Sequence, residues 1–281
     1  MWKPEHRIAA DRSGLRYPSD LTGAEWAVVE PMVPPAKHGG RKRTIDVREI
    51  LNGIFYVLWT GCQWQALPKD LPPKSTVWAY FDLWTWDGTL ERIHHALYVA
   101  AREQAGREAS PTTAIIDSQS VKGAQKGGPL LDPQGFDAGK KITGRKRHIL
   151  VDTLGLLLRV VVHPANIQDR DGLALVLDRR TRRLFPFIER IYGDGGYQGP
   201  KAAKAAAKTG CWTIEIVERS PTAVGFEVLP KRWIVERTFA WLSRFRRLAR
   251  DFERYARTVA AFIHLAMIRI MLKRLVASSS S

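Results

Sequence analysis

Beyond Pro111 the chain carries three β-branched apolar runs in succession, and only then does it alternate helical with strand patterns. The runs are TTAIID (112–117), RHILVDTLG (147–155) and LLLRVVVHPAN (156–166), the last two joined by a tight Leu-Gly turn at 154–155. DRDGLALVLDRRTRR (169–183) then reads as a helix, IERIYGD (188–194) as a strand, PKAAKAAAK (200–208) as a helix and CWTIEIVER (211–219) as a fifth strand. A long helix is expected from about Lys231 to about Ala256, and an apolar one over about 258–275. Three strands followed by alternating helices and strands call for a mixed five-stranded sheet with helices packed on it.

The first hundred residues read differently, as helices alone. Thr22-Gly-Ala-Glu25 is a capping box opening a short helix that ends near Pro31–Pro35. A basic link, HGGRKRT (38–44), leads to a second capping box at Asp46 and Glu49 and to Val47, Ile50, Leu51, Ile54, Val57 and Leu58 at helical spacing. Gly61 stops that helix, and Ser75 is the expected N-cap of another with Val77, Phe81 and Trp84 on one face. A last helix covers about 89–105, so residues 1–106 form an all-helical region ahead of an α/β domain at 107–281. The stretch 46–87 resembles a helix-turn-helix that would bind DNA sequence-specifically; the other reading is that its five tryptophans fill a small helical core. The strand and helix order beyond Pro111 is that of the ribonuclease-H-like fold.

A formal net charge of +16 favours a polyanionic partner, nucleic acid above all. No apolar run approaches the ~18–20 residues of a membrane-spanning helix, and MWKPEHRIAADRSG carries no secretion pattern. Cys62 and Cys211 suggest neither a disulfide framework nor a zinc site, so a reducing cytoplasm is the expected setting. The serine tail (278–281) carries no functional signal.

Three acids are the candidates for chemistry. Asp117 follows Ala114, Ile115 and Ile116, at the tip of a central strand, where it serves either a turn or a metal. Asp194 precedes Gly195-Gly196-Tyr197, which permits a sharp turn and the close approach of a phosphate ester; Asp-Gly is equally a turn pair. Glu236 lies off the apolar stripe Ile234, Trp241, Phe245, Leu248 and Phe252, and by itself is a partner for Arg232 four residues earlier. Together, two aspartates on neighbouring strands and a glutamate on a helix crossing them make an oxygen-donor set suited to Mg²⁺ against a phosphodiester. No nucleophilic Ser or Cys motif, P-loop or dinucleotide glycine pattern competes.

The segments YPSDLTGAEW, GCQWQALPKDLPPKSTVWAYFDLW, IIDSQSVKGAQKGG, FDAGKKITGRKRHILVDTLGLLLRVVVHPANIQDRDG, YGDGGYQG and RWIVERTFAWLSRFRRLARDFE resemble the DDE transposases of bacterial insertion sequences, in particular the insertion-sequence-five family. The resemblance spans about residues 17–270. It implies a ribonuclease-H-like catalytic domain dependent on Mg²⁺, with Mn²⁺ as a substitute. It implies binding to double-stranded DNA, both the element's terminal inverted repeats and the target, by a homo-oligomer that cleaves strands and then transfers them. It also implies that Asp117, Asp194 and Glu236 are the catalytic, metal-binding triad. In the related insertion-sequence-four signature Tyr, Arg, Glu and Lys surround the last acid. Arg232 and Glu236 match it, while Leu229 and Ser243 stand where the Tyr and Lys would be and Arg244 is the neighbouring cation.

Lys140, Lys141, Arg145, Lys146 and Arg147 form a dense basic run ahead of the second strand, suited to phosphate contacts or else simply a solvated loop. Lys122, Arg232, Arg237, Arg244 and Arg247 complete the cations expected at DNA. Asp169 is expected to cap a helix, Asp152 to serve a turn, and His148 and His163 to be structural. Two other readings stay open: a nuclease on the same fold that cuts without joining, and a non-catalytic DNA-binding repressor.

Overall fold

The computed structural model describes residues 11–36, 39, 43–124, 130–210, 212–218 and 231–278. Most of the basic link at 38–44, Cys211, Leu229 and the end of the serine tail lie outside them. The helical region comprises α1 (Gly23–Val29), α2 (Val47–Thr60), α3 (Lys74–Trp86) and α4 (Thr89–Gln104). Both halves of the Thr22–Glu25 capping box form. At α2 Asp46 caps Arg48, but Glu49 turns to Arg16 (2.7 Å) instead of completing a box. Gly61 ends α2 in the left-handed conformation, φ +70°. Ser75 does not cap α3: the helix starts one residue earlier, behind Pro73. Nor do the tryptophans fill a core. Trp84 is buried and Trp64 packs partly, whereas Trp59, Trp78 and Trp86 are exposed.

The sheet is built from β1 (Thr113–Lys122), β2 (Gly135–Asp137), β3 (Ile142–Asp152), β4 (Leu157–Pro164), β5 (Arg190–Gly193) and β6 (Thr213–Ile216). β3 pairs antiparallel with β1 on one edge and with β4 and β2 on the other. β1, β5 and β6 run parallel. Three antiparallel strands flanked by parallel ones, with helices between the latter, is the ribonuclease-H-like arrangement. The added strand is β2, a short pairing partner for the start of β3. The turn from β3 to β4 uses Gly155 at φ +79° and Asp152, whose Oδ1 accepts the Leu154 and Leu156 N–H groups.

Three expectations change. The helix over 169–183 is two, α5 (Asp169–Val176) and α6 (Arg179–Leu184), because Asp178 caps Thr181 and pairs with Arg159. The helix from Lys231 stops early: α8 spans Arg232–Ser243, after α7 (Pro200–Thr209), and the chain then runs irregularly to α9 (Ala256–Ser278). The basic run does not lie wholly ahead of the strand: Lys140 and Lys141 are in the turn, but Arg145, Lys146 and Arg147 lie inside β3.

The alternation of a strand sends successive side chains to opposite faces, and both faces of β3 are covered. Lys146 and His148 point toward α5, where His148 meets His163 (2.7 Å) and Gly172 leaves room for its ring. Arg145 and Arg147 point the other way. Arg145 is bidentate to Asp251 (2.6 and 3.0 Å), and Arg147 donates to the Leu248 carbonyl (2.8 Å). α9 packs on α4 and β4 and joins the helical region through Arg269, which with Arg12 grips Glu25. One hydrophobic core runs through helices and sheet alike.

Two measurements test this frame. Arg145→Met leaves Asp251 charged and buried without its partner, which should lower unfolding stability by about 3–5 kcal/mol in urea titration. At Glu25 burial opposes ionisation, but the Arg12 bond, the Arg269 charge and the Thr22 N–H prevail and hold the carboxyl at about 2, against 4.5 ordinarily. The stabilisation is therefore complete above pH 4.5 and is lost as the pH falls toward 2. Glu25→Gln should flatten the acid limb of the urea-midpoint profile over that interval and leave its slope above it unchanged.

Candidate active site

Asp117 sits in the middle of β1 and not at its tip, because the polar continuation Ser118–Lys122 stays paired with β3. On the other edge the pairing with β5 ends at Ile115↔Tyr192. Asp117 lies two residues beyond the last residue of β1 in this pairing and Asp194 two beyond that of β5, so the parallel register brings the two carboxylates out as neighbours where the strands part, near enough for their charges to interact. Asp194 leaves β5 and caps the turn at Gly195–Tyr197, its Oδ1 accepting the Gly196 N–H at 2.9 Å. Burial pushes the Asp117 carboxyl up to about 6. The charge of Asp194 adds to this, while the Ser118 N–H, Arg232 and Lys140 oppose it.

Helix α8 brings the third acid. Its start is pinned to the sheet by Lys231, whose ammonium lies 3.9 Å from the Tyr192 ring centre. One Arg232 nitrogen then lies 3.8 Å from Asp194 Oδ2 and 3.7 Å from Glu236 Oε1. Glu236 itself is exposed, its side chain at 60% of full accessibility. Among the described residues no three acidic, histidine or cysteine side chains converge into a closed metal cluster. The donor chemistry nonetheless fits a hard divalent cation, with two neighbouring carboxylates repelling each other and a third facing the same guanidinium.

Behind this group, on the α5 side, lies a network the sequence did not disclose. Asp169 does not cap α5. Its Oδ1 accepts from Ser118 Oγ (2.7 Å) and Lys146 Nζ (3.0 Å), next door to Asp117. Tyr197 is buried against His148, and burial together with Asp117, Asp169 and Asp194 drives its hydroxyl pKa well above the ordinary value. Ser118 and His148 are register partners across β1 and β3, and that long-range pairing is what assembles the network.

The expected DNA-contacting cations divide sharply. Arg145, Lys146, Arg147 and Arg247 are buried and engaged inside the protein, Arg247 with Glu253 (2.6 Å) and the Cys62 carbonyl (3.0 Å). Arg237 is half-buried between the Trp233 and Trp241 rings, 4.5 and 4.6 Å from their centres. Lys122, Lys140, Lys141 and Arg244 are exposed, and Lys140 Nζ donates to the Ser118 carbonyl (3.2 Å) beside Asp117.

No helix among the described residues is long and apolar enough to cross a membrane. The transposase DDE domain family matches residues 108–271, and a family described as "Putative transposase of IS4/5 family" matches residues 21–94. The "Putative transposase for insertion sequence element IS402" of Burkholderia cepacia is 34% identical over 159 residues, covering 54% of this chain and 70% of the relative. The "Insertion element IS402 uncharacterized 16.2 kDa protein" of the same organism is 31% identical over 111 residues, 37% of this chain and 74% of that protein. No solved structure matches the chain. The chain belongs to the DDE transposase family of insertion sequences, IS4/5 type, whose members are metal-dependent enzymes acting on DNA.

Proposed function

We propose that this transposase binds the terminal inverted repeats of its element, cleaves DNA there with Mg²⁺ and joins the freed 3′ ends to target DNA. Asp117, Asp194 and Glu236 are its catalytic acids. The observation that supports this most is the juxtaposition of Asp117 and Asp194 across the β1–β5 register, with Glu236 sharing Arg232. Bound Mg²⁺, or Mn²⁺ in its place, would activate the attacking oxygen and stabilise the leaving one. Asp117 and Asp194 would hold it from the sheet and Glu236 from α8. Arg232 and Lys140 place positive charge beside the acids, where a phosphodiester would sit. Lys122, Lys141 and Arg244 are exposed and suited to phosphates further out. In this reading residues 1–106 contribute end recognition, residues 107–281 the chemistry, and a homo-oligomer pairs two element ends at the bacterial nucleoid.

Gly196 ties the acids together: a Cβ there would lie 2.9 Å from Asp194 Oδ1 and 3.2 Å from Asp169 Oδ2. The test is single-turnover cleavage of labelled DNA carrying the element's ends, with a target plasmid and Mg²⁺. Asp194→Ala should lose at least about 100-fold in cleavage while still binding DNA. Gly196→Ala should lose about 100-fold by displacing Asp194, with its urea midpoint close to the wild type. Cleavage without joined products would make the enzyme a nuclease. Binding that is indifferent to both substitutions, with no cleavage by the wild type, would make the chain a repressor.

A further inference from the structure

The segment between α8 and α9 is irregular where the sequence pattern called for one continuous helix: a single 3-10 turn at Arg246–Leu248 gives way to a bridge at Asp251, and the segment is bolted down from inside. Asp251 N donates to the Lys122 carbonyl (3.1 Å) and Ala124 N to the Asp251 carbonyl (2.8 Å), so the segment continues the edge of β1. Further on, Asp132 N donates to the Arg254 carbonyl (2.9 Å) and the Asp132 carboxylate accepts from Ala256 N (2.7 Å). Phe245, Arg247, Leu248 and Asp251 point inward and are buried. At its beginning the backbone of Arg246 lies against Gly61, where a Cβ would come within 3.0 Å of it.

What remains faces out. Arg244, Arg246, Arg250, Arg254 and Arg257 are all exposed. The acids of the segment, Asp251 and Glu253, are drawn inward to Arg145 and Arg247. Among the described residues only Arg257 of the five has a carboxylate within 4 Å, that of Asp82 at 3.9 Å. The outcome is a group of exposed arginines on a segment tied to β1 and to Asp132 by backbone hydrogen bonds, with Lys122 also exposed.

We infer that residues 244–257 form a phosphate-binding strap that grips duplex DNA through its backbone without reading sequence. The inference rests on the proposed action on DNA and adds a surface to it. Charge complementarity singles out the partner, since guanidinium forks match phosphate geometry. The strap joins β1 at Gly123, six residues past Asp117, about 20 Å along the strand at 3.3 Å per residue. A duplex lying across both would meet the strap about 20 Å from the phosphate at the acids.

The test compares the full chain with Arg246→Gln/Arg250→Gln/Arg254→Gln and with a control of equal charge loss elsewhere, Arg179→Gln/Arg183→Gln/Lys204→Gln. Affinity for an element-end duplex and for an unrelated duplex of equal length is measured across a salt series. Each phosphate contact contributes about 0.9 to the slope of log K against log salt. The strap variant should lose about 2–3 from that slope on both duplexes, and the control should lose less than about 1. A wild-type slope in the strap variant, or an equal loss in the control, overturns the strap. A wild type that binds neither duplex overturns the DNA reading itself, and the strap with it.

Discussion

The site depends on β1 being paired differently along its two edges. β3 holds it from Ala114 to Lys122, while β5 follows it only as far as Ile115. Asp117 therefore has a backbone fixed by one neighbour and a side chain at the gap where the other neighbour has turned away at Asp194. A lone carboxylate inside a sheet is unfavourable. Here it persists because the gap admits the charges of Arg232 and Lys140, which offset part of the burial that lifts its pKa to about 6.

The same chain folds many of its cations inward. Arg102 with Asp152, Arg145 with Asp251, Lys146 with Asp169, Arg247 with Glu253 and Arg269 with Glu25 are buried or nearly so. Four of the five sit at joints, α4 to the β3–β4 turn, β3 to the strap, β3 to α5, and α9 to α1, while Arg247 with Glu253 braces the strap internally. Losing one partner of such a pair is strongly destabilising, so the joints are specified by charge as well as by apolar contact. Internal pairs remove positive and negative charge equally, which leaves the net excess of +16 on the outside. Composition thus gave the right sign for the partner, while the choice of contacting residues needed the pleat.

The parts of the fold legible in the sequence are those governed by local physics. The Thr22–Glu25 box, the left-handed Gly61 and Gly155, and the order of strands follow from capping, turn geometry and periodicity. The acids of the candidate site were nameable for a similar reason, since Asp117 and Asp194 interrupt or end apolar runs. What stayed hidden is long-range. The basic run Arg145-Lys146-Arg147 looks like a solvated loop until β1 and β4 flank it, the start of α5 covers Lys146 and the segment after α8 covers Arg145 and Arg147. Asp169 looks like a cap until the pairing of Ser118 with His148 draws it into the network beside Asp117. Trp78 and Trp86 look like core because aromatic content says nothing about which face of α3 is covered.

The early end of α8 and the burial of the β3 arginines are one event. Buried guanidinium groups require acceptors. An α-helix has few to offer, because its carbonyls are already taken by the N–H groups four residues on. Had residues 244–256 stayed helical, the stripe of Phe245, Leu248 and Phe252 would have continued, and the carbonyls of Leu248 and Glu253 would have been spent within the helix. In the irregular path that follows α8, Arg147 takes the Leu248 carbonyl at the end of a 3-10 turn, and Arg145 takes the Glu253 carbonyl as well as the Asp251 carboxylate. Phe252 is released to the surface in exchange. The hydrogen-bond demand of β3 thus overrides a sound amphipathic pattern. It leaves α8 a short helix fixed at its start by Lys231 on Tyr192, with Glu236 in its second turn sharing Arg232 with Asp194.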